Sequence, residues 1–149
     1  KKLNYIHRKL TDLKYHMYGS NKYLEKHGYP KTVNDLNKHK FISYGKGAPS
    51  PVFNPDWALK LGMKDNKKRR SSMKVNSIMG LLLAVESGVG IAALPDYLVS
   101  LSSNLIKLIP SEEGPITEAY FVYPESLKNV ARVQAFRNFL YSKISEWKF

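Results

Sequence analysis

The sequence contains no cysteine among its 149 residues. Disulfide bonds, thiolate metal sites and a cysteine nucleophile are therefore excluded, and packing must hold the fold together. Long apolar runs are also missing: the longest, from Ile78 to Val85, includes Gly80 and is far shorter than the roughly 18 residues of a membrane-spanning helix. No stretch of signal-peptide type follows Lys1–Tyr5, so we expect a cytoplasmic protein.

Acidic residues are scarce, with 12 Asp and Glu against 24 Lys and Arg, which gives a formal charge of +12. Such a chain suggests a nucleic-acid partner, because Lys and Arg neutralise phosphates. The basic residues are nevertheless spread along the whole chain, and asparagine is abundant too. Even the run Lys67–Arg70 is better interpreted as a solvated turn, so a nucleic-acid-binding module stays an alternative rather than the favoured function.

Alternating strand and helix patterns predict an α/β domain with parallel strand pairs. The predicted strands cover residues 6–10, 13–18, 41–44, 57–61, 72–75, 89–94, 105–109 and 118–123. Predicted helices lie between them, including one over 33–38 that starts with a Thr32–Asp35 capping box, and one over 130–147. The apolar helix after Asn76 and Ser77 is expected to end at Gly88, where a left-handed residue is wanted.

No catalytic or metal-binding set of residues stands at a readable spacing. The histidines never fall at i and i+4, which argues against a zinc site at His7, His16, His27 or His39. Ser71 and Lys74 have the spacing of some acylases, but they lie three apart on a predicted strand and point to opposite faces. We therefore expect neither an enzyme nor a metal or other cofactor.

Two predicted strand-to-helix junctions, near Ser20 and near Ser77, favour ligand binding instead. Each helix would present its amide groups and positive dipole end at the carboxyl edge of the sheet, where open α/β sheets bind ligands. Hydroxyl and amide partners for a small polar or anionic molecule would come from Ser20, Asn76 and Ser77. Each of these residues is equally well explained as a helix cap alone.

Three blocks cover nearly the whole chain in a fixed order: Leu10–Pro30 with Asp35–His39, then Ala84–Pro95, then Ala131–Leu140. Together they resemble the effector-binding domain of LysR-type transcriptional regulators. The first block is similar to a strand, turn and helix of that family's second lobe, the second to its C-terminal signature, and the third to its closing helix. The resemblance implies a two-lobed α/β fold of the type 2 periplasmic-binding-protein kind, with an effector in the cleft between the lobes.

The resemblance also implies positions for the parts of the domain. Residues 1–17 would be crossing strands of the first lobe or hinge, 18–120 the complete second lobe, and 121–149 the return strand and C-terminal helix of a partial first lobe. The family's DNA-binding head and the start of its first lobe are not in this sequence. Residues implied to line the cleft are Tyr18, Gly19, Ser20, Asn76, Ser77 and Ile78, with Gly90 and Ile91 near its floor.

By this resemblance the chain is a small-molecule sensor in which an effector shifts lobe closure and the arrangement of a homo-oligomer. DNA would be contacted only through the absent N-terminal domain, and no membrane partner is expected. The alternatives are a solute-binding protein of a transporter and the nucleic-acid-binding module. Without the family's early first-lobe helix, apolar positions on the predicted helix Ile78–Ser87 would be exposed, so we expect the isolated chain to self-associate.

Overall fold

The computed structural model describes residues 4–45, 54, 56–65, 67–100 and 104–147, which form two compact units. Unit 1 consists of Lys1–Leu13 and Thr117–Phe149, and unit 2 of Lys14–Ile116. The chain therefore crosses between the units twice. The units divide after residues 13 and 116, and the lobe boundaries expected from the sequence, after residues 17 and 120, stay a prediction.

The described elements follow one another as alternating strands and short helices. The strands are β1 (Tyr5–Leu13), β2 (Tyr15–Ser20), β3 (Phe41–Tyr44), β4 (Ser71–Val75), β5 (Ala92–Pro95), β6 (Leu105–Leu108) and β7 (Thr117–Pro124). The α-helices are α1 (Asn21–His27), α2 (Trp57–Lys60), α3 (Ile78–Glu86), α4 (Asp96–Val99) and α5 (Ala131–Ser145). Two 3-10 turns cover Val33–Lys38 and Glu125–Leu127.

Among the described strands of the sheet of unit 2, one runs against the others. β2 pairs antiparallel with both β5 and β6, while β3 and β4 are parallel. A parallel bridge between Phe41 and Ile91 joins the two parts in the order β4-β3-β5-β2-β6. We call the edge formed by the carboxyl ends of β3, β4, β5 and β6 the carboxyl edge, and the opposite one the amino edge. Because β2 is reversed, it starts at the carboxyl edge and ends at the amino edge.

Helix α3 packs over this sheet and supplies much of the core of unit 2. Leu81 and Val85 are buried against Tyr18 of β2 and Leu94 of β5. The Ser77 hydroxyl caps the helix by accepting a hydrogen bond from the Gly80 amide at 3.0 Å, and Gly88 follows with φ of +79°. The predicted start and end of this helix are confirmed, as is the Thr32–Asp35 capping box.

The predicted strand over 57–61 is wrong, because this segment forms the short helix α2. Trp57–Leu59 are three consecutive buried residues. A short apolar run of this kind occurs in both buried strands and buried helices, so the sequence pattern does not distinguish them. Turn hydrogen bonds from the Leu59 and Lys60 amides to the Asp56 carbonyl, at 3.0 and 3.2 Å, close the helix locally.

Arg69 is a buried tie within unit 2 rather than part of a solvated basic turn. Its guanidinium donates to Asn37 Oδ1 at 2.7 Å and to the carbonyl oxygens of Leu61 at 2.6 Å and Val33 at 3.3 Å. Burial lowers the pKa of this group. The other three residues of the run Lys67–Arg70 are exposed, as expected.

Replacing Arg69 with alanine should lower the free energy of unfolding by about 2 kcal/mol, since it leaves partly buried carbonyl oxygens without a donor. Urea unfolding of the protein measures the loss. Arg70→Ala is the matched control, because Arg70 is exposed and such changes usually stay within about 0.5 kcal/mol. Equal stability of the two variants would contradict the structural role of Arg69.

Unit 1 consists of the β1–β7 ribbon and α5. The strands pair antiparallel from Tyr5–Pro124 to Leu13–Thr117. The Tyr141 hydroxyl donates to the Lys9 carbonyl at 2.9 Å, which attaches α5 to the ribbon. None of the described residues of α5 is buried, and Phe136 and Phe139 are about half exposed. No helix within the described ranges is long and apolar enough to span a membrane.

Candidate ligand-binding site

The junction between β4 and α3 lies at the carboxyl edge of unit 2. Asn76 and Ser77 follow the end of β4 and are exposed, and Ile78 begins α3. Amides in the first turn of a helix lack intrahelical partners and carry the positive end of the helix dipole. Tyr44 ends the neighbouring strand, paired with Val75 in the parallel register. The structure therefore brings Asn76, Ser77 and Ile78 together at the edge where the sequence placed them.

A small, mainly apolar cavity lies next to this junction. Its volume is about 20 Å³, enough for roughly one water molecule. Aromatic side chains from β2, β3 and α2 contribute to its wall, which is lined by Tyr15, Phe41, Ile42, Ser43, Tyr44, Trp57, Ala58, Leu59, Ile78, Leu81 and Ala93. Because Ile78 contributes to both, the cavity and the start of α3 form one continuous surface.

The Tyr44 hydroxyl is a buried polar atom in the wall of this cavity. It makes no hydrogen bond to any residue that the structure describes. Burial, with smaller contributions from Tyr15 and Tyr97, raises its pKa to about 12. At neutral pH the group is therefore an uncharged hydrogen-bond donor, available to a polar atom of a bound molecule.

Ser20 does not meet Ser77, and the expectation that the two junctions share one edge is wrong. β2 runs antiparallel to its neighbours, so its last residue lies at the amino edge. The buried Ser20 hydroxyl lies 3.7 Å from the position of a Cβ added to Gly88, at the C-terminal end of α3, whereas Ser77 caps its N-terminal end. A nine-residue helix is about 13 Å long, which separates the two hydroxyls.

The other four predicted site residues are buried inside the fold. The Tyr18 hydroxyl donates to Asp96 Oδ1 at 2.8 Å, and Gly19 packs against Ile91 and Leu24. Gly90 lies against the Lys40 carbonyl, and Ile91 is fully buried where β3 meets β5. The structure gives each of these four residues a packing or hydrogen-bonding role.

Sequence reasoning missed a buried polar cluster around Asp96, the first residue of α4. Its carboxylate accepts hydrogen bonds from His16 Nδ1 at 2.8 Å, the Tyr18 hydroxyl at 2.8 Å and Lys107 Nζ at 3.0 Å. Burial favours a raised pKa, but these three donors outweigh it and hold the pKa of Asp96 below its ordinary value. Neither in this cluster nor elsewhere in the described ranges do three His, Asp or Glu side chains come close enough to bind a metal ion.

The alternation of β2 contained a signal for this cluster. His16 and Tyr18 share one face of the strand, and every residue from Tyr15 to Ser20 is buried. A histidine inside a strand that is covered on both faces needs a buried partner. Asp96 provides one from the neighbouring strand end, a pairing that sequence spacing does not show.

Comparison with known proteins identifies the family. Residues 3–144 match the family model described as the LysR substrate binding domain. A curated relative, an uncharacterised HTH-type transcriptional regulator of Haemophilus influenzae, is 31% identical over 126 residues, which are 80% of this chain and 41% of that protein. The chain therefore spans less than half the length of this relative.

Solved structures of LysR-type regulators share the fold. The regulatory domain of CrgA from Neisseria meningitidis superposes with a TM-score of 0.75 at 24% identity, over 94% of this chain and 69% of that one. Full-length AphB, a virulence activator of Vibrio cholerae, gives a TM-score of 0.66 at 18% identity over 95% of this chain and 48% of that one. The predicted α/β class, with the type 2 periplasmic-binding-protein fold, is confirmed. On the match of its sequence along almost its full length, the chain belongs to the LysR substrate-binding domain family.

Proposed function

We propose that this chain is the effector-sensing domain of a LysR-type transcriptional regulator, and that the carboxyl edge of unit 2 forms one wall of its effector site. The observation that carries the proposal is the exposed start of α3 at Asn76–Ile78, next to an aromatic-lined cavity. Helix starts attract anionic and polar groups. The cavity, which holds about one water molecule, would contribute an apolar wall to the site rather than a complete pocket.

The geometry favours an effector with a polar or anionic group attached to a small apolar body. The polar group would contact Asn76, Ser77 and the first turn of α3, and the apolar body would lie against Tyr44 and Ile78. Of the eight residues predicted from the sequence, the proposal keeps Asn76, Ser77 and Ile78 and adds Tyr44. Tyr18 is explained by its hydrogen bond to Asp96, and Gly19, Gly90 and Ile91 are explained by packing. Ser20 lies at the amino edge, where its buried hydroxyl makes no hydrogen bond to a described residue.

Replacing Ser77 with alanine should weaken effector binding about tenfold, because one hydrogen bond to a charged or polar group is worth roughly 1.5 kcal/mol. A thermal-shift screen of small organic acids on the full-length regulator identifies a binding compound, and calorimetry measures its affinity for each variant. Ser77→Thr should restore binding, because it keeps both the hydroxyl and the helix cap. Ser20→Ala is the control, and an affinity loss in this variant that matches that of Ser77→Ala would contradict the proposed edge.

The rest of the regulator's activity follows from parts of the protein outside this sequence. We infer that DNA is contacted through an N-terminal segment, because the chain covers only 41% of its HTH-type relative. The regulator would then act in the cytoplasm, where its DNA target is, without a catalytic role. The buried position of Arg69 weakens the alternative of a nucleic-acid-binding module built on the basic run.

Self-association is a further expectation for the isolated chain. Met79 and Leu83 lie four residues apart on one face of α3 and are 50% and 57% exposed. Light scattering should show a dimer or larger species, and Leu83→Glu should shift it towards the monomer. Ile116→Glu is the matched control, since Ile116 is also 57% exposed. A clean wild-type monomer at high concentration would contradict this expectation.

A further inference from the structure

Charged side chains cluster where the chain enters and leaves unit 2. Lys14 is the first residue of the unit, His16 lies in β2, and Glu113 lies three residues before its last residue, Ile116. Glu113 Oε1 is 3.3 Å from Lys14 Nζ and 3.9 Å from His16 Nε2. The Gly114 amide also donates to the Tyr15 carbonyl at 2.7 Å. The same contacts therefore hold the entry and exit segments together.

The two ring nitrogens of His16 face different carboxylates. Nδ1 lies 2.8 Å from Asp96, which is ionised and so acts only as an acceptor. Nδ1 must therefore carry a proton whether the ring is neutral or charged. A neutral ring then presents the lone pair of Nε2 towards Glu113, whereas a protonated ring presents an N–H.

We propose that His16 is a proton-operated latch: when the ring takes up a proton, Nε2–H pairs with Glu113 and fastens the exit segment 112–116 to the start of β2. The other polar groups around the ring do not pair with Glu113 in place of His16. Tyr18 from β2 and Lys107 from β6 both donate to Asp96, at 2.8 and 3.0 Å. Lys14 Nζ also lies 3.3 Å from Glu113 Oε1, a pair that does not depend on the state of the ring.

The latch adds a response to acidity to a domain that otherwise responds to an effector. Glu113 is half exposed while His16 is buried. Protonation of the His16 ring therefore changes a contact between a buried side chain and one at the surface. Its consequence for transcription rests on the proposed function, because movement at the two crossings must reach the DNA-binding part of the regulator. The latch itself is independent of any effector and is tested without one.

Hydrogen exchange of the full-length regulator, measured without effector at about pH 8 and about pH 5, tests the latch. After correction for the intrinsic pH dependence of exchange, amides in segment 112–116 should exchange about two- to fivefold more slowly at the lower pH, the effect of one partly exposed ion pair. Glu113→Gln should abolish this difference. Because Glu113 is half exposed, this variant should fold, unlike substitutions of the buried His16.

Two matched variants distinguish the latch from a general effect of pH on the domain. Lys14→Gln removes the pH-independent pair and should keep the pH difference. His7→Gln removes an exposed histidine of β1 and should keep it too. The latch is overturned if the wild type shows no pH difference, if Glu113→Gln retains it, or if either control loses it. The proposed function is tested separately, by effector binding at neutral pH. A negative result for the latch therefore does not contradict the proposed function.

Discussion

Replacing Asp96 with alanine should lower the free energy of unfolding by about 3 kcal/mol, among the largest losses expected for a single polar residue in this chain. The carboxylate is the shared acceptor of His16, Tyr18 and Lys107. Without it, two buried donors and a lysine that is one-third exposed lose their partner. The value lies at the low end for a buried pair because water can still reach Lys107.

The pH dependence of this loss has a definite sign. The pKa of Asp96 is lowered in the folded state, so its contribution to stability is present above the pKa of an unfolded aspartate, about 3.9, and disappears as the pH falls through the lower folded value. The difference between the wild type and Asp96→Ala should therefore narrow below about pH 4. Urea unfolding at neutral and acidic pH measures both effects.

Asp56→Ala is the control for the Asp96 variant. Asp56 pairs with the exposed Lys68 at 2.9 Å, and exposed pairs contribute at most about 1 kcal/mol. A loss for Asp96→Ala no larger than that for Asp56→Ala would show that the buried cluster does not stabilise unit 2.

Replacing Gly90 with alanine should also cost about 3 kcal/mol, by overpacking a backbone contact. A Cβ at this position would lie 2.3 Å from the Lys40 carbonyl oxygen. That oxygen accepts a hydrogen bond from the Ile91 amide at 2.8 Å, so it cannot move without breaking the junction between β3 and β5. The variant tests whether Gly90 serves packing rather than the effector.

Gly45→Ala is the matched control for Gly90→Ala. A Cβ on Gly45 would lie 3.7 Å from the Val75 carbonyl oxygen, an ordinary contact, and the change should stay within about 1 kcal/mol. Unfolding experiments on both variants give the comparison. A Gly90→Ala variant with normal stability but weakened effector binding would favour the role that the family resemblance implied.

Local patterns predicted most elements of this fold. Alternation marked β2, and the hydroxyl residues Thr32 and Ser77 marked helix starts that the structure confirms. The failures occurred where local pattern is ambiguous or silent. Trp57–Leu59 is an apolar run too short to distinguish strand from helix, and nothing in the run Lys67–Arg70 shows that only Arg69 folds inwards.

Of the two strand-to-helix junctions predicted from the sequence, only one lies at the carboxyl edge, because the strands that lead into them run in opposite directions. Asn76 and Ser77 follow a strand that runs with its neighbours, so the rule that ligands bind at carboxyl ends applies to them. Ser20 is the last residue of β2, which runs antiparallel to its described neighbours. Direction is set by pairing with residues 92–95 and 105–108, far away in sequence, and no pattern within β2 encodes it. The Asp96 cluster could not be predicted either, because it also depends on contacts between residues far apart in sequence.

The central claim is that the effector contacts the carboxyl edge of unit 2. Hydrogen exchange of the full-length regulator, with and without a compound from the thermal-shift screen, tests it most directly. We predict slower exchange in segments 43–45 and 76–79 when the compound is bound, with little change in segments 18–22 and 88–90. Protection confined to the latter two segments would place the effector at the amino edge and contradict the claim.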